Sequence, residues 1–146
     1  MTGVTYRGDF PRLNYEVRLE AKRVDGVDFF CGMTFPVRKA YCSLIVGGWA
    51  GSVVGLLSID GKDASENDTT RYMKFETDRW YRIRLRVSEE RIQVWIDDKP
   101  VVNQNIVGKR ISTRSEVDLS RPFGIATWET RAALRGIEVR AIDSRK

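Results

Sequence analysis

Trp80-Tyr81-Arg82-Ile83-Arg84-Leu85-Arg86-Val87 is followed, after Ser88-Glu89-Glu90, by Arg91-Ile92-Gln93-Val94-Trp95-Ile96-Asp97-Asp98. In both runs apolar residues recur at every second position. A strand sends successive side chains to opposite faces, so Tyr81, Ile83, Leu85 and Val87 share one face and Arg82, Arg84 and Arg86 the other. Working outward, the same alternation returns in Tyr15, Val17 and Leu19, separated by Glu16 and Arg18, and in Ile137 and Val139. Segments 29–35, 41–46, 52–59, 101–106 and 123–128 are more continuously apolar. They suit strands covered on both faces, or strands whose second face meets a ligand. Turn chemistry separates these runs: Asp25-Gly26, Gly47-Gly48, Asp60-Gly61, Ser88-Glu89-Glu90 and Asp97-Asp98-Lys99-Pro100. No helical period persists for three turns. About ten strands in one chain cannot lie in a single flat sheet without leaving a face wet, so they form two packed antiparallel layers. Residues 107–122 read as a loop with room for one short helical turn.

The chain has 146 residues, which fits a single domain over 1–146 with a core at about 14–142. Its 42% hydrophobic content is enough for one core and excludes a disordered chain. No run of about 18 apolar residues exists, so no membrane-spanning helix is expected. Arg7, Asp9 and Arg12 interrupt the start of the chain, and no signal peptide is read there. Location stays open: extracytoplasmic if the chain is part of an exported protein. The sequence holds no histidine, which excludes every mechanism resting on an imidazole of this chain. Net charge is +5, but the signs alternate along the chain, which speaks against a nucleic-acid module. Cys31 and Cys42 flank a turn at 35–39. Two buried free thiols are the favoured reading over a disulfide between paired strands.

The strand pair at 80–98 resembles the central strands of concanavalin A-like jelly rolls. Segment 123–128, followed by 134–139, resembles the closing pair of that fold. Together with Val46-Gly47-Gly48-Trp49 and Gly55-Leu56-Leu57-Ser58-Ile59-Asp60-Gly61, the chain is similar to the 3-keto-disaccharide hydrolase domain family from about 14 to 142. The resemblance implies an all-β concanavalin A-like jelly-roll sandwich. It also implies attack on a sugar oxidised at C3, where the ketone acidifies the neighbouring hydrogen and a base expels the glycosidic oxygen. Glu129 as base, with Arg71 or Arg131 steadying an enolate, is the form this takes here. Where the family commonly carries a Gln and a His, this chain has Trp128, Glu129 and Thr130. The Glu-x-Asp-x-Glu signature of family 16 glycosidases is absent. Its nearest match, Glu116-Val117-Asp118, has Ser120 in place of the third acid.

Carbohydrate recognition asks for less than catalysis: an aromatic platform under a sugar ring and polar groups for its hydroxyls. Trp49, Trp95 and Trp128 are the candidate platforms on a concave face, with Gln93 and Arg131 as polar partners. Trp95 has the parity opposite to Val94 and Ile96 and so leaves the core; Trp80 reads as structural. The alternatives are a hydrolase or lyase of 3-keto-glycosides and a protein-interaction module of a larger protein. Asp60, Asp63, Glu66 and Asp68 gather acids in one loop, where calcium is conceivable, but Lys62 opposes it and solvated acids are favoured. No cofactor is expected. Asn67-Asp68-Thr69 fits a glycosylation acceptor. Arg82, Arg84 and Arg86, spaced by about 7 Å along one face, favour cross-strand pairing with Glu16, Glu20, Gln93 or Asp97 over a grip on an acidic polysaccharide or phosphate.

Overall fold

The computed structural model describes residues 2–142. The strands are β1 (Thr2–Tyr6), β2 (Tyr15–Gly26), β3 (Cys31–Val37), β4 (Ala40–Gly48), β5 (Val53–Leu57), β6 (Arg71–Tyr72), β7 (Tyr81–Val87), β8 (Arg91–Ile96), β9 (Lys99–Asn105), β10 (Phe123–Thr127) and β11 (Thr130–Ala141). They form two antiparallel sheets, ordered β1-β10-β3-β4-β5-β6 and β11-β2-β7-β8-β9. These are the two antiparallel layers expected from the alternation, arranged as the jelly-roll sandwich that the resemblance implies. Among the described residues no helix is long and apolar enough to cross a membrane.

The core lies between the sheets and follows strand parity. Val17, Leu19, Ile83, Leu85, Val94 and Ile96 enter it from the five-stranded sheet, and Met33, Phe35, Leu44, Val46, Leu56 and Ile125 from the six-stranded one. Each such side chain contributes about 1.5–3 kcal/mol on leaving water, which the loss of chain entropy largely offsets. Tyr15 is fully buried, and its hydroxyl donates to the Pro36 carbonyl at 2.6 Å, tying the layers together. Phe10 stacks on Phe123 with centroids 4.7 Å apart.

Three short elements lack the two-residue period. β1 lies ahead of Asn14 and pairs with β10, so the sandwich begins earlier than the expected core boundary. β6 has two residues beside β5. The loop at 107–122 holds a 3₁₀ helix at Ser115–Ser120, in keeping with the single turn expected there.

The outer face of the six-stranded sheet carries glycines where its covering segments press close. A Cβ on Gly55 would stand 2.7 Å from the Ala64 carbonyl oxygen, and one on Gly124 would stand 2.9 Å from Ser120 backbone atoms. The acidic loop and the 3₁₀ helix therefore rest directly on the strands.

Candidate functional site

The depression that brings two exposed indoles together lies on that same outer face. Ile45, Leu57 and Phe29 are apolar lining residues, joined by Trp49, Trp128, Arg114, Asp28 and Val117, around a volume of about 310 Å³. Trp49 is 39% and Trp128 45% exposed, well above the core aromatics, so both rings are open to a ligand.

Local chain chemistry explains how two residues so far apart in sequence meet. Trp49 follows the Gly47-Gly48 end of β4, and the chain turns through Trp49, Ala50 and Gly51 at φ 48°, 66° and 107°. Two non-glycine residues in the left-handed region are held there at a cost, a pattern found where a loop is fixed for function. Trp128 precedes Glu129, itself at φ 47°, in the β10–β11 turn. Both loops hang on the Asp28-Phe29 pair. The Asp28 carboxylate accepts the amides of Phe29 at 2.8 Å and Ala50 at 3.3 Å, while the Asp28 amide donates to the Thr130 hydroxyl at 2.9 Å. The Trp128 amide donates to the Phe29 carbonyl at 3.3 Å.

Arg23 fastens this assembly from behind. It is 5% exposed at the end of β2. Its Nη2 donates to the carbonyls of Asp28 (3.1 Å), Gly51 (3.3 Å) and Gly47 (3.4 Å), and Nη1 to that of Phe75 (3.5 Å). Arg114 stands on the rim, with Nη2 3.0 Å from Asp63 Oδ2 and its guanidinium carbon 5.9 Å from the Trp49 ring centroid. The arrangement offers apolar faces for a ring, a guanidinium with spare N–H donors, and a carboxylate with lone pairs beyond those it uses for the backbone.

The single platform expected from Trp49, Trp95 and Trp128 divides between opposite faces of the molecule. Trp95 pairs with Arg84 on the five-stranded sheet and lies half-buried beneath it, the guanidinium carbon 4.1 Å from the ring centroid. Gln93 shares that outer face opposite Arg86. Trp95 has the outward parity the pattern required, but its strand belongs to the other layer. Arg131 is exposed at the start of β11 opposite Asp25, and Glu129 is exposed in the turn before it. Arg71 sits on β6, four strand steps from β10, on the order of 19 Å. There it donates to the Thr70 and Asp68 carbonyls, so it does not meet Glu129 across the sheet.

The acidic loop is occupied with its own structure. Asp60 accepts the Arg110 amide at 2.8 Å and lies 3.5 Å from Lys109 Nζ; the backbone hydrogen bond, with the lysine charge, draws its carboxyl below the ordinary value. Asp63 accepts from the Ser65 amide and hydroxyl and pairs with Arg114, while Glu66 and Asp68 are exposed. Among the described residues no three acids or cysteines converge on a metal position. The Asn67 amide nitrogen donates to three carbonyls, of Leu56, Asp63 and Lys62, so a glycan there would break the bonds that fold the loop.

Asp28, Phe29, Arg114 and Arg23 were not legible as site residues from spacing, although Arg23 left a trace. It continues the inward parity of Tyr15, Val17, Leu19 and Ala21, so a cation stands at a core position.

Among solved structures, the chain is similar to the carbohydrate-binding module CBM66 from Bacillus subtilis, at 14% identity and a TM-score of 0.60, with 87% of this chain and 74% of that one covered. A galectin of Caenorhabditis elegans superposes at 10% identity and TM-score 0.58, covering 95% and 89%. A double variant of human galectin-16 does so at 13% and 0.56, covering 96% and 94%. At such identities the likeness is one of fold, the concanavalin A-like jelly roll. No curated protein sequence matches the chain. A family model described as 3-keto-alpha-glucoside-1,2-lyase-like domain matches residues 3–140, reaching back over β1, and the chain belongs to that family.

Proposed function

We propose that this domain recognises a carbohydrate or glycoconjugate in the depression between Trp49 and Trp128. The observation that carries the reading is the pairing of two solvent-open indoles over an apolar floor, with Arg114 and Asp28 beside them. Sugar rings present C–H faces to aromatic platforms and hydroxyls to charged rims, and this depression offers both. The names of the superposing proteins, a carbohydrate-binding module and two galectins, support the same class of ligand. The test is a glycan array followed by tryptophan-fluorescence titration. Trp49→Ala and Trp128→Ala are each expected to weaken binding by about tenfold or more, one stacked ring being worth about 1.5 kcal/mol. Trp95→Ala is expected to leave it unchanged. Equal loss in all three variants would count against this face.

The family description favours a second reading, elimination from a 3-keto-glycoside. Glu129 is then the base that removes the acidified hydrogen, and Arg131, two residues along, the cation that steadies the enolate. Among the described lining residues of the depression Asp28 is the single carboxylate, and it also holds the backbone of two loops. Product formation from a 3-keto-disaccharide, abolished by Glu129→Gln with the fold intact, establishes this reading. Binding without turnover leaves recognition alone.

A further inference from the structure

The outer face of the five-stranded sheet carries more positive charge than the fold uses. β2 presents Glu16, Arg18, Glu20 and Lys22 there, β7 presents Arg82, Arg84 and Arg86, and β11 presents Arg135, Glu138 and Arg140. Among the described residues of these three strands, with Asp98 paired to Arg82 at 2.9 Å, four carboxylates meet seven cations, an excess of three positive charges. The excess is focused. Glu16 has a fully buried side chain, and four guanidiniums converge on it: Arg140 at 3.0 Å, Arg84 at 3.3 Å, Arg86 at 3.5 Å and Arg18 at 3.6 Å. One carboxylate balances one of the four, and each guanidinium has N–H groups to spare.

Cross-strand pairing, the role expected for this arginine row, accounts for only part of the arrangement. Arg18 stands directly opposite Arg84 in the β2–β7 register. Like charges in that position destabilise a sheet, so stability alone gives no reason for the second guanidinium. A depression of about 560 Å³ crosses the same face, lined by Arg18, Arg82, Arg84, Trp95, Arg135 and Glu138 among others.

We propose that this face binds an acidic polysaccharide, whose carboxylate or sulfate groups take the guanidinium N–H donors left free around Glu16. Planar guanidiniums suit such oxyanions, two parallel N–H groups to two oxygens. The cations spread over three adjacent strands and recur at about 7 Å along β7, which fits a chain of repeated anions better than one small ion. Single-stranded nucleic acid needs open aromatic faces on which bases stack. Here the indoles are engaged by cations: Arg84 lies 4.1 Å from the Trp95 centroid, and Arg135 and Lys22 lie 3.9 and 5.0 Å from that of Trp80. The site lies on the opposite sheet from the Trp49–Trp128 depression and stands or falls independently of it.

Titration of the intact domain with heparin, polygalacturonate, neutral dextran and an oligothymidylate tests the assignment. Heparin or polygalacturonate is expected to bind where dextran does not. Its affinity falls about 40-fold between roughly 50 and 200 mM salt if three charges are neutralised. Arg18 and Arg82 have side chains 51% and 61% exposed. The Arg18→Ser, Arg82→Ser double variant therefore keeps its circular dichroism and melting temperature, and loses about tenfold in affinity for the same polyanion. Glu16→Gln, a near-isosteric loss of one negative charge, tightens binding. Trp49→Ala with Trp128→Ala leaves it unchanged, so a failure of the glycan reading above is told apart from a failure here. Polyanions binding no better than dextran, a folded double variant with undiminished affinity, or an oligothymidylate binding more tightly than either acidic polysaccharide each overturns the proposal.

Discussion

Arg23 and Glu16 show how single side chains on one strand serve opposite ends of the molecule. Arg23 occupies a core-facing place on β2, where its two terminal nitrogens donate to four carbonyl oxygens in place of a carboxylate, while its buried Nε has no partner among the described residues. Burial draws its pKa below that of a free guanidinium, with the Asp28 carboxylate acting the other way. Its removal leaves the carbonyls of Asp28, Gly47 and Gly51 without their common donor, so Arg23→Met is expected to cost about 3 kcal/mol in urea unfolding. Arg23→Lys does not restore stability, since a compact ammonium lacks the reach of the planar fork. Full stability in Arg23→Met would contradict the anchoring role. On the other face of β2, burial raises the Glu16 carboxyl, but the Arg140 hydrogen bonds and the charges of Arg86, Arg18 and Arg84 outweigh it and hold the group below its ordinary value. A carboxyl depressed by folding adds stability above its unfolded pKa of about 4.3, and that stability is lost as pH falls through the folded value. Urea midpoints are therefore expected to drop as pH falls below about 4.3, and Glu16→Gln to flatten that limb. Parallel pH profiles for the two proteins would refute it. Glu16 was visible as an alternation partner and Arg23 left only the trace of a cation in inward parity, but neither the carbonyl cage nor the fourfold convergence is legible: each assembles groups from distant strands.

At the scale of elements, legibility tracks length and period. β2, β7 and β8 alternate over six residues or more and stand where the pattern places them. The β8–β9 hairpin turns through Asp97 and Asp98 at φ 51° and 66°, the left-handed pair that a two-residue turn requires. β1, β6 and the 3₁₀ helix carry no period and acquire their place from the sheet they lean on. That dependence makes the covering segments sensitive to the glycines beneath them. A Cβ at Gly124 would stand 2.9 Å from the Cα, Cβ and carbonyl oxygen of Ser120, the last residue of the 3₁₀ helix. Gly124→Ala is thus expected to cost about 1–3 kcal/mol and to displace the segment that brings Val117 and Arg114 to the depression. Gly108→Ala is the matched control. Its φ is 74° but the space around it is open, so only backbone strain of about 1 kcal/mol applies. Thermal unfolding of both, with ligand affinity measured alongside, separates steric displacement from strain. Equal binding in the two variants would show that the 3₁₀ segment does not shape the site.

For the whole molecule, parity tells which residues share a face of their strand but not which layer the strand joins. Trp95 left the core as its parity required and arrived on the back of the other sheet, while Trp49 and Trp128 sit in turns, where parity is silent. The cysteines are the converse case. Both face the core from the six-stranded sheet, Cys31 beside Val46 and Cys42 beside Phe35. The two rows are four residues apart along β3, about 13 Å, well beyond the roughly 7 Å between Cα atoms that a disulfide spans. They are free and fully buried, and burial pushes both thiols up to about 12. At pH 8 a thiol of that kind is ionised in about one molecule in ten thousand, and no reagent reaches it while the layers are closed. A disulfide-exchange reagent is therefore expected to leave both cysteines unmodified in the native protein. As urea is added, both should react at one common rate set by global opening, because they lie between the same two sheets and the sandwich has a single main core. A cysteine labelled in the absence of denaturant, or two labelling rates with different urea dependence, would mean that the layers part locally, and that the floor and the back of the sheet bearing Trp49 do not behave as one unit.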